Sequence, residues 1–220
     1  MPEPPSLKGI RERRRAARQG LNPRPDYVTV IIEATERVLA DTPFYKLTID
    51  QILTEAQVSR GTFYGYFGSK GEVMAELLGR VMAQMYGLLD PLLQSSGHAE
   101  RHAALITVLR DSAALWNMHR PVFRATHDNW HSVPELRTRW LALVEQFTDA
   151  IASWLHDEPG REGPALSNPL ARQRCAALLW TTEHLLYLAG TDADADLPTE
   201  EAILDTLLVM WEGTLFGPQV

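Results

Sequence analysis

The sequence predicts an all-α fold of about nine helices, and three observations carry that prediction. Apolar residues recur at three- and four-residue spacing from residue 26 almost to the end of the chain. Breaks between these repeats contain proline, or a Ser or Thr placed three residues ahead of a Glu or Gln, the signature of a capped helix start. No stretch makes a convincing strand, and no internal repeat is present.

The first helix carries Val30, Ile31, Ala34, Val38 and Leu39 on one stripe and stops before Pro43. Thr48 and Gln51 form a capping box for a short second helix, Ile49 to about Ala56, with Ile52 and Leu53 inward. After the turn "QVS", Ser59 caps a third helix, and Val58 and Phe63 stand at the two positions of a hydrophobic staple. Ser69 and Glu72 open a long fourth helix with Val73, Leu77, Val81, Met85, Leu88 and Leu89 in register. A fifth helix is expected at about His98 to Met118 and a sixth at about Pro121 to Trp130. The seventh begins near Ser132, paired with Glu135 as a cap, and runs through Leu136, Trp140, Val144, Phe147, Ile151 and Leu155. The loop "DEPGREGPALSNP" precedes the eighth, about Leu170 to Ala189; the acidic stretch "GTDADADLPTE" separates it from the ninth, about Thr199 to Leu215.

Charge divides the chain unevenly. Residues 1–80 hold 12 Lys and Arg against 10 Asp and Glu, whereas residues 81–220 hold 9 against 18, within an overall net charge of −7. Every lysine precedes residue 81, and every tryptophan and histidine follows residue 97, so two modules with different partners are expected. The single cysteine, Cys175, lies in the apolar run "CAALLW" and reads as a buried thiol in a reducing compartment. No run reaches the ~18 apolar residues of a membrane span and no signal-peptide core is present, so a soluble, cytoplasmic protein with no membrane partner is expected.

Function gathers between Thr48 and Lys70. Two short helices joined by a three- or four-residue turn make a helix-turn-helix, whose second helix lies in the major groove of DNA. At 100° per residue, Phe63 and Phe67 share the face that the staple turns to the core. Gly61 and Gly65 then sit near the middle of the opposite face, flanked by Tyr64 on one side and Thr62 and Tyr66 on the other. That face offers hydroxyl donors around bare backbone, which lets the helix lie close to a duplex. Lys70, at the first position of the fourth helix, adds a cation where backbone N–H groups already favour an anion. Upstream, the basic run "KGIRERRRAARQG" from Lys8 is either a solvated tail or an arm that neutralises phosphates.

The segment "LTIDQILTEAQVSRGTFYGYFGSKGEVM" resembles the N-terminal module of TetR-family transcriptional regulators, whose pattern ends in Thr-(Phe/Leu)-Tyr-x-(Tyr/His)-Phe-x-x-Lys. Gly65 stands where many members carry a larger side chain. The resemblance implies that Thr48 and Lys70 contact phosphates and that Ser59, Arg60, Gly61, Thr62, Tyr64 and Tyr66 face the groove. It also implies a ligand-binding and dimerisation domain downstream. The organisation expected is therefore a basic arm over 1–23, a DNA-binding domain over 24–69 and a ligand-binding and dimerisation domain over 70–220.

The tryptophan-rich stretches "FRATHDNWHSVPELRTRW" and "WTTEHLLYLAG" are similar to the EthR-like branch, whose members hold a long hydrophobic ligand channel. Candidate wall residues are Trp116, Phe123, Trp140, Phe147, Trp180, Glu183, Tyr187 and Trp211, any of which is equally plain core by its spacing. Glu183 stands out because a carboxylate inside an apolar helix needs a partner: a ligand, Arg172, Arg174 or a second subunit. Leu178, Leu179, Leu185 and Leu186 form a second stripe suited to packing on another helix. The eighth and ninth helices are apolar on more than one face, consistent with a two-fold homodimer interface and hence a palindromic operator.

The expected function is a ligand-responsive DNA-binding regulator, most simply a repressor released by a small hydrophobic ligand, with no catalytic residue, metal or cofactor. Two rivals stand beside it. "HDNWH" places His127 and His131 four apart with Asp128 between them, a loose echo of the H-E-x-x-H motif of metal-dependent hydrolases. The other rival is a helical binding protein that uses no DNA.

Overall fold

The computed structural model describes residues 26–156, 168–190 and 199–216. The basic arm, the loop before the eighth expected helix and most of the acidic stretch fall outside the described residues. The described residues are helical, with no strand among them. The helices are α1 Tyr27–Asp41, α2 Ile49–Ala56, α3 Arg60–Tyr64, α4 Lys70–Gly87, α5 Asp90–Gln94, α6 His98–Met118, α7 Arg120–Asn129, α8 Pro134–His156, α9 Asn168–Ala189 and α10 Glu200–Leu215. All nine expected helices are present, and α5 is an addition. Pro91 accounts for it: a residue without an N–H cannot continue the α4 ladder but fits the first turn of a new helix.

The head is built from local chemistry. Asp26 caps α1 through the Thr29 N–H, and Thr48 and Gln51 close both halves of the capping box on α2. Gln57, left-handed at φ 54°, ends α2 and turns the chain sharply into α3. Ser59 caps α3, and Phe63 and Phe67 are buried with Ile31, Leu47, Ile52 and Val73.

The long α4 leaves the head and enters the body, where it packs chiefly on α8, which in turn packs on α9. Two glycines permit this approach. A Cβ at Gly71 would lie 3.0 Å from Val133 Cγ1 and 3.1 Å from the Glu135 carboxyl, and a Cβ at Gly79 would overlap the Arg139 guanidinium. Among the described residues, polar contacts join head to body: Ser69 Oγ donates to Glu135 Oε1 at 2.8 Å, Arg80 Nη1 donates to Thr29 Oγ1 at 2.8 Å, and His119 Nδ1 meets Glu36 Oε1 at 2.5 Å.

The cap expected at Ser132 is not made. Pro134 opens α8, Ser132 Oγ donates back to Asn129 O at 3.1 Å, and Glu135 is taken by Ser69 instead. Glu72 departs in a smaller way: Ser69 Oγ accepts from the Glu72 N–H, but the Glu72 carboxylate accepts from the Gly68 N–H.

Cys175 is fully buried, and burial pushes its thiol from 9.0 up to about 11. The folded protein is therefore expected to resist a disulfide reagent at neutral pH and to react once denatured. Because the unfolded thiol releases its proton first, the stability tied to this group is intact below its ordinary pKa and is lost as pH climbs through that window; Cys175→Ser should flatten this alkaline limb of the unfolding curve.

Candidate DNA-binding face and ligand cavity

The outer surface of α3 is shallow and hydroxyl-lined. Tyr64 and Tyr66 are half-exposed, with Tyr66 leaning towards Tyr27 at a ring distance of 6.2 Å. Gly61 is open: a Cβ there would meet only Ser59 Oγ, at 3.8 Å. A larger residue would fit the fold, so nothing internal requires glycine at this position. At Gly65 a Cβ would instead crowd the Thr62 and Gly61 carbonyls at 3.3 and 3.4 Å.

Several predicted groups already have partners within the head. Ser59 Oγ accepts from the Thr62 N–H at 3.0 Å and shares a hydrogen bond with Thr62 Oγ1 at 2.8 Å, which fixes both hydroxyls. Arg60 is paired with Asp50 of α2 on an exposed surface. Thr48 is exposed at its cap, and beside it lie two residues that periodicity did not single out, the largely exposed Tyr45 and Lys46. The signal for them was a basic residue and an aromatic just ahead of a capping threonine.

Lys70 occupies the first position of α4 as expected, but its charge is not turned outward. Nζ donates to Phe44 O at 2.9 Å and Leu47 O at 2.8 Å, and it lies 4.7 Å from the Phe44 ring. Desolvation lowers its pKa. An ammonium has three donors, so these two carbonyls leave one over.

In the body, α4 to α10 line a partly open cavity with about 100 Å³ of space for the centres of water-sized molecules. Of the expected wall residues, Trp116, Phe123, Trp140, Phe147, Trp180, Glu183 and Trp211 line it. Trp116 stacks on Phe123 at 4.0 Å, and Trp140 meets Trp180 edge-on at 6.0 Å. Met82 and Met85 of α4 complete the wall from the side of the head, together with Leu105 and Leu109. Leu179 and Leu186, expected to pack on another helix, also face the cavity.

Tyr187 does not line this cavity. Its ring stacks on His127 at 3.7 Å, and its hydroxyl donates to Asp128 Oδ1 at 2.8 Å, beside a small cleft it shares with Arg120, Arg124 and Gly190. Glu183 has found its partner in His127, with Nδ1 to Oε1 at 2.8 Å, and not in Arg172, which pairs with Asp149. His184 lies close by, and ligand-capable atoms of His127, Glu183 and His184 fall within 4.8 Å of one another. The histidines spaced four apart are thus not the pair that gathers; His131 is exposed and lies edge-on to Trp130.

A helix-turn-helix head joined by a continuous helix to a cavity-bearing helical body defines the class: a DNA-binding transcriptional regulator. Residues 31–77 match the family "Bacterial regulatory proteins, tetR family", and residues 105–217 match "Transcriptional regulator EthR, C-terminal domain". The chain belongs to the TetR family, with a body of the EthR type. It is 27% identical over 192 residues to the HTH-type transcriptional regulator EthR of Mycobacterium tuberculosis (strain ATCC 25618 / H37Rv), covering 87% of this chain and 88% of that protein. Among solved structures it is similar to a TetR-family regulator from Syntrophomonas wolfei, at TM-score 0.67 and 15% identity over 90% of this chain and 99% of that one. It is also similar to FadR from Bacillus subtilis in complex with stearoyl-CoA, at TM-score 0.66 and 18% identity over 87% and 99%. This membership sets aside both rivals, since the family consists of DNA-binding regulators and not enzymes.

The His127 and Glu183 pair yields a stability test. His127→Ala leaves a carboxylate that is nearly shut off from water without its partner, which costs about 1–3 kcal/mol. A fall of roughly 2–10 °C in Tm is expected by calorimetry, and His131→Ala should change it far less.

Proposed function

We propose that the chain acts as a homodimeric repressor that holds a palindromic or near-palindromic operator through two α3 helices and lets go when a small hydrophobic molecule fills the cavity. The observation that carries this reading is the path of α4. Its first turn follows α3 directly, and Met82 and Met85 near its far end form part of the cavity wall. A ligand that binds one setting of α4 better than another shifts the spacing of the two heads, with a coupling of typically about 1–3 kcal/mol.

In this reading residues 24–69 form the DNA-binding domain, residues 70–220 bind ligand and dimerise, and the protein works in the cytoplasm. Thr48, Ser59, Arg60, Gly61, Thr62, Tyr64, Tyr66 and Lys70 serve the DNA, with Lys70 acting on both the head's own carbonyls and a phosphate. Dimerisation uses α9 and α10, which is supported by Leu170, Val209 and Met210 standing exposed there, Val209 at 70%. The stearoyl-CoA bound to the Bacillus FadR supports a long apolar ligand here.

Gly61 supplies the sharpest test of the DNA-binding face. Gly61→Ala should hold or raise Tm, because alanine favours a helix by ~1 kcal/mol and has room, yet it should weaken operator binding in a gel-shift titration. Equal affinity would remove close backbone approach from the mechanism. Tyr64→Ala should weaken operator binding about tenfold or more with Tm unchanged, whereas Lys70→Ala should lower both. For the interface, Val209→Glu is expected to shift the protein to monomer by light scattering and to lose cooperative operator binding.

A further inference from the structure

Folding gathers a set of side chains that linear spacing did not pair. Glu183 and His184 are consecutive on α9, and Tyr187 follows at helical-neighbour spacing from both. From α7, His127 reaches across to Glu183, Nδ1 to Oε1 at 2.8 Å, where the carboxylate side chain is only 11% exposed. Tyr187 orders the two imidazoles. Its ring lies 3.7 Å from that of His127 at an angle of 19°, and 6.4 Å from that of His184 at 20°. One ligand atom from each of His127, Glu183 and His184 is thereby brought within 4.8 Å of the other two, from two different helices.

The donor set selects the chemistry. Two imidazole nitrogens and one carboxylate oxygen suit zinc, cobalt or nickel, whereas magnesium and calcium ask for oxygen alone. We infer that His127, Glu183 and His184 bind a divalent transition metal of the zinc class, and that the ion ties α7 to α9. A tetrahedral ion with bonds of about 2.0–2.2 Å sets its ligand atoms roughly 3.4 Å apart. His127 and Glu183 therefore separate by about half an ångström to admit it, and His184 draws in. His184 is exposed, so a rotamer change brings it to the ion at little cost to the packing. Three protein ligands leave a fourth position for water. Asp128, next to His127 and bonded to the Tyr187 hydroxyl, adds negative charge nearby and offsets the exposed Arg124 on the far side of Tyr187. Glu183 also belongs to the cavity wall, so the ion stands beside the cavity. Its role is structural, and no reaction is assigned to it.

The test uses the full-length protein, stripped with EDTA and titrated calorimetrically with zinc chloride in a non-chelating buffer. Saturable binding is expected, and Tm should rise with zinc concentration. His184→Ala removes an exposed ligand, so it should leave Tm in EDTA unchanged while weakening zinc about tenfold or more. Glu183→Gln keeps a hydrogen-bonding partner for His127 but removes the charge, and it should weaken zinc by a similar factor. His131→Ala should bind like the wild type. Cobalt chloride gives a readout apart from affinity: the wild-type complex should show visible absorption bands stronger than those of the aqueous ion, and His184→Ala should lose them.

Absence of saturable zinc binding would overturn the site. So would an unchanged zinc affinity in either His184→Ala or Glu183→Gln, which would put the ion on other side chains. Calcium or magnesium held as tightly as zinc would overturn the assignment to a transition metal. None of these outcomes touches the reading of the head as DNA-binding or of the cavity as a ligand site.

Discussion

The helix α4 runs through the one hydrophobic core that head and body share among the described residues. Val73 and Met74 near its start belong with Ile31, Ile52 and Phe63 of the head, and Met82 and Met85 near its end belong with the tryptophans of the body. At 1.5 Å per residue, its 18 residues span ~27 Å, so one rigid rod reaches from the base of the recognition helix to the ligand cavity. Gly71 and Gly79 let α8 come close, and Ser69 grips Glu135 where the two helices meet. A packed interface of this kind favours discrete settings over smooth bending, which is what a switch requires.

The polar groups are distributed to match. Around the cavity, Trp211 is bonded to Thr182, and Glu183 is held by a histidine from the facing helix α7. On the head, the hydroxyls of Ser59 and Thr62 are locked together and Arg60 is tied to Asp50, so the outer surface of α3 is largely set in advance. Preorganisation of this sort reduces the ordering cost of binding.

Much of this was legible in the sequence where the determining interactions are local. The capping box of Thr48 and Gln51, the Ser59 cap and the inward pair Phe63 and Phe67 depend on residues three or four apart, and each is present. What sequence spacing left open was the choice between local and distant partners. Glu135 stands at the right distance to complete a cap with Ser132 but joins Ser69, 66 residues earlier in the chain. Lys70 has a helix N-terminus at hand but turns to two carbonyls of the loop between α1 and α2. Periodicity likewise assigned Tyr187 to the stripe of Trp180 and Glu183, whereas its ring stacks on His127 of α7 and borders a separate small cleft. Leu179 and Leu186 face the cavity because a helix packed on several neighbours has no single inward side.

The inward turn of Lys70 links two surfaces that otherwise share no backbone. Its ammonium fastens the first residue of α4 to the carbonyls of Phe44 and Leu47, and that same loop carries Tyr45, Lys46 and Thr48 to the outside. Displacement of α4 therefore drags the loop along with the recognition helix that directly precedes it. Loop, recognition helix and the first turn of α4 are thus fastened together as one piece.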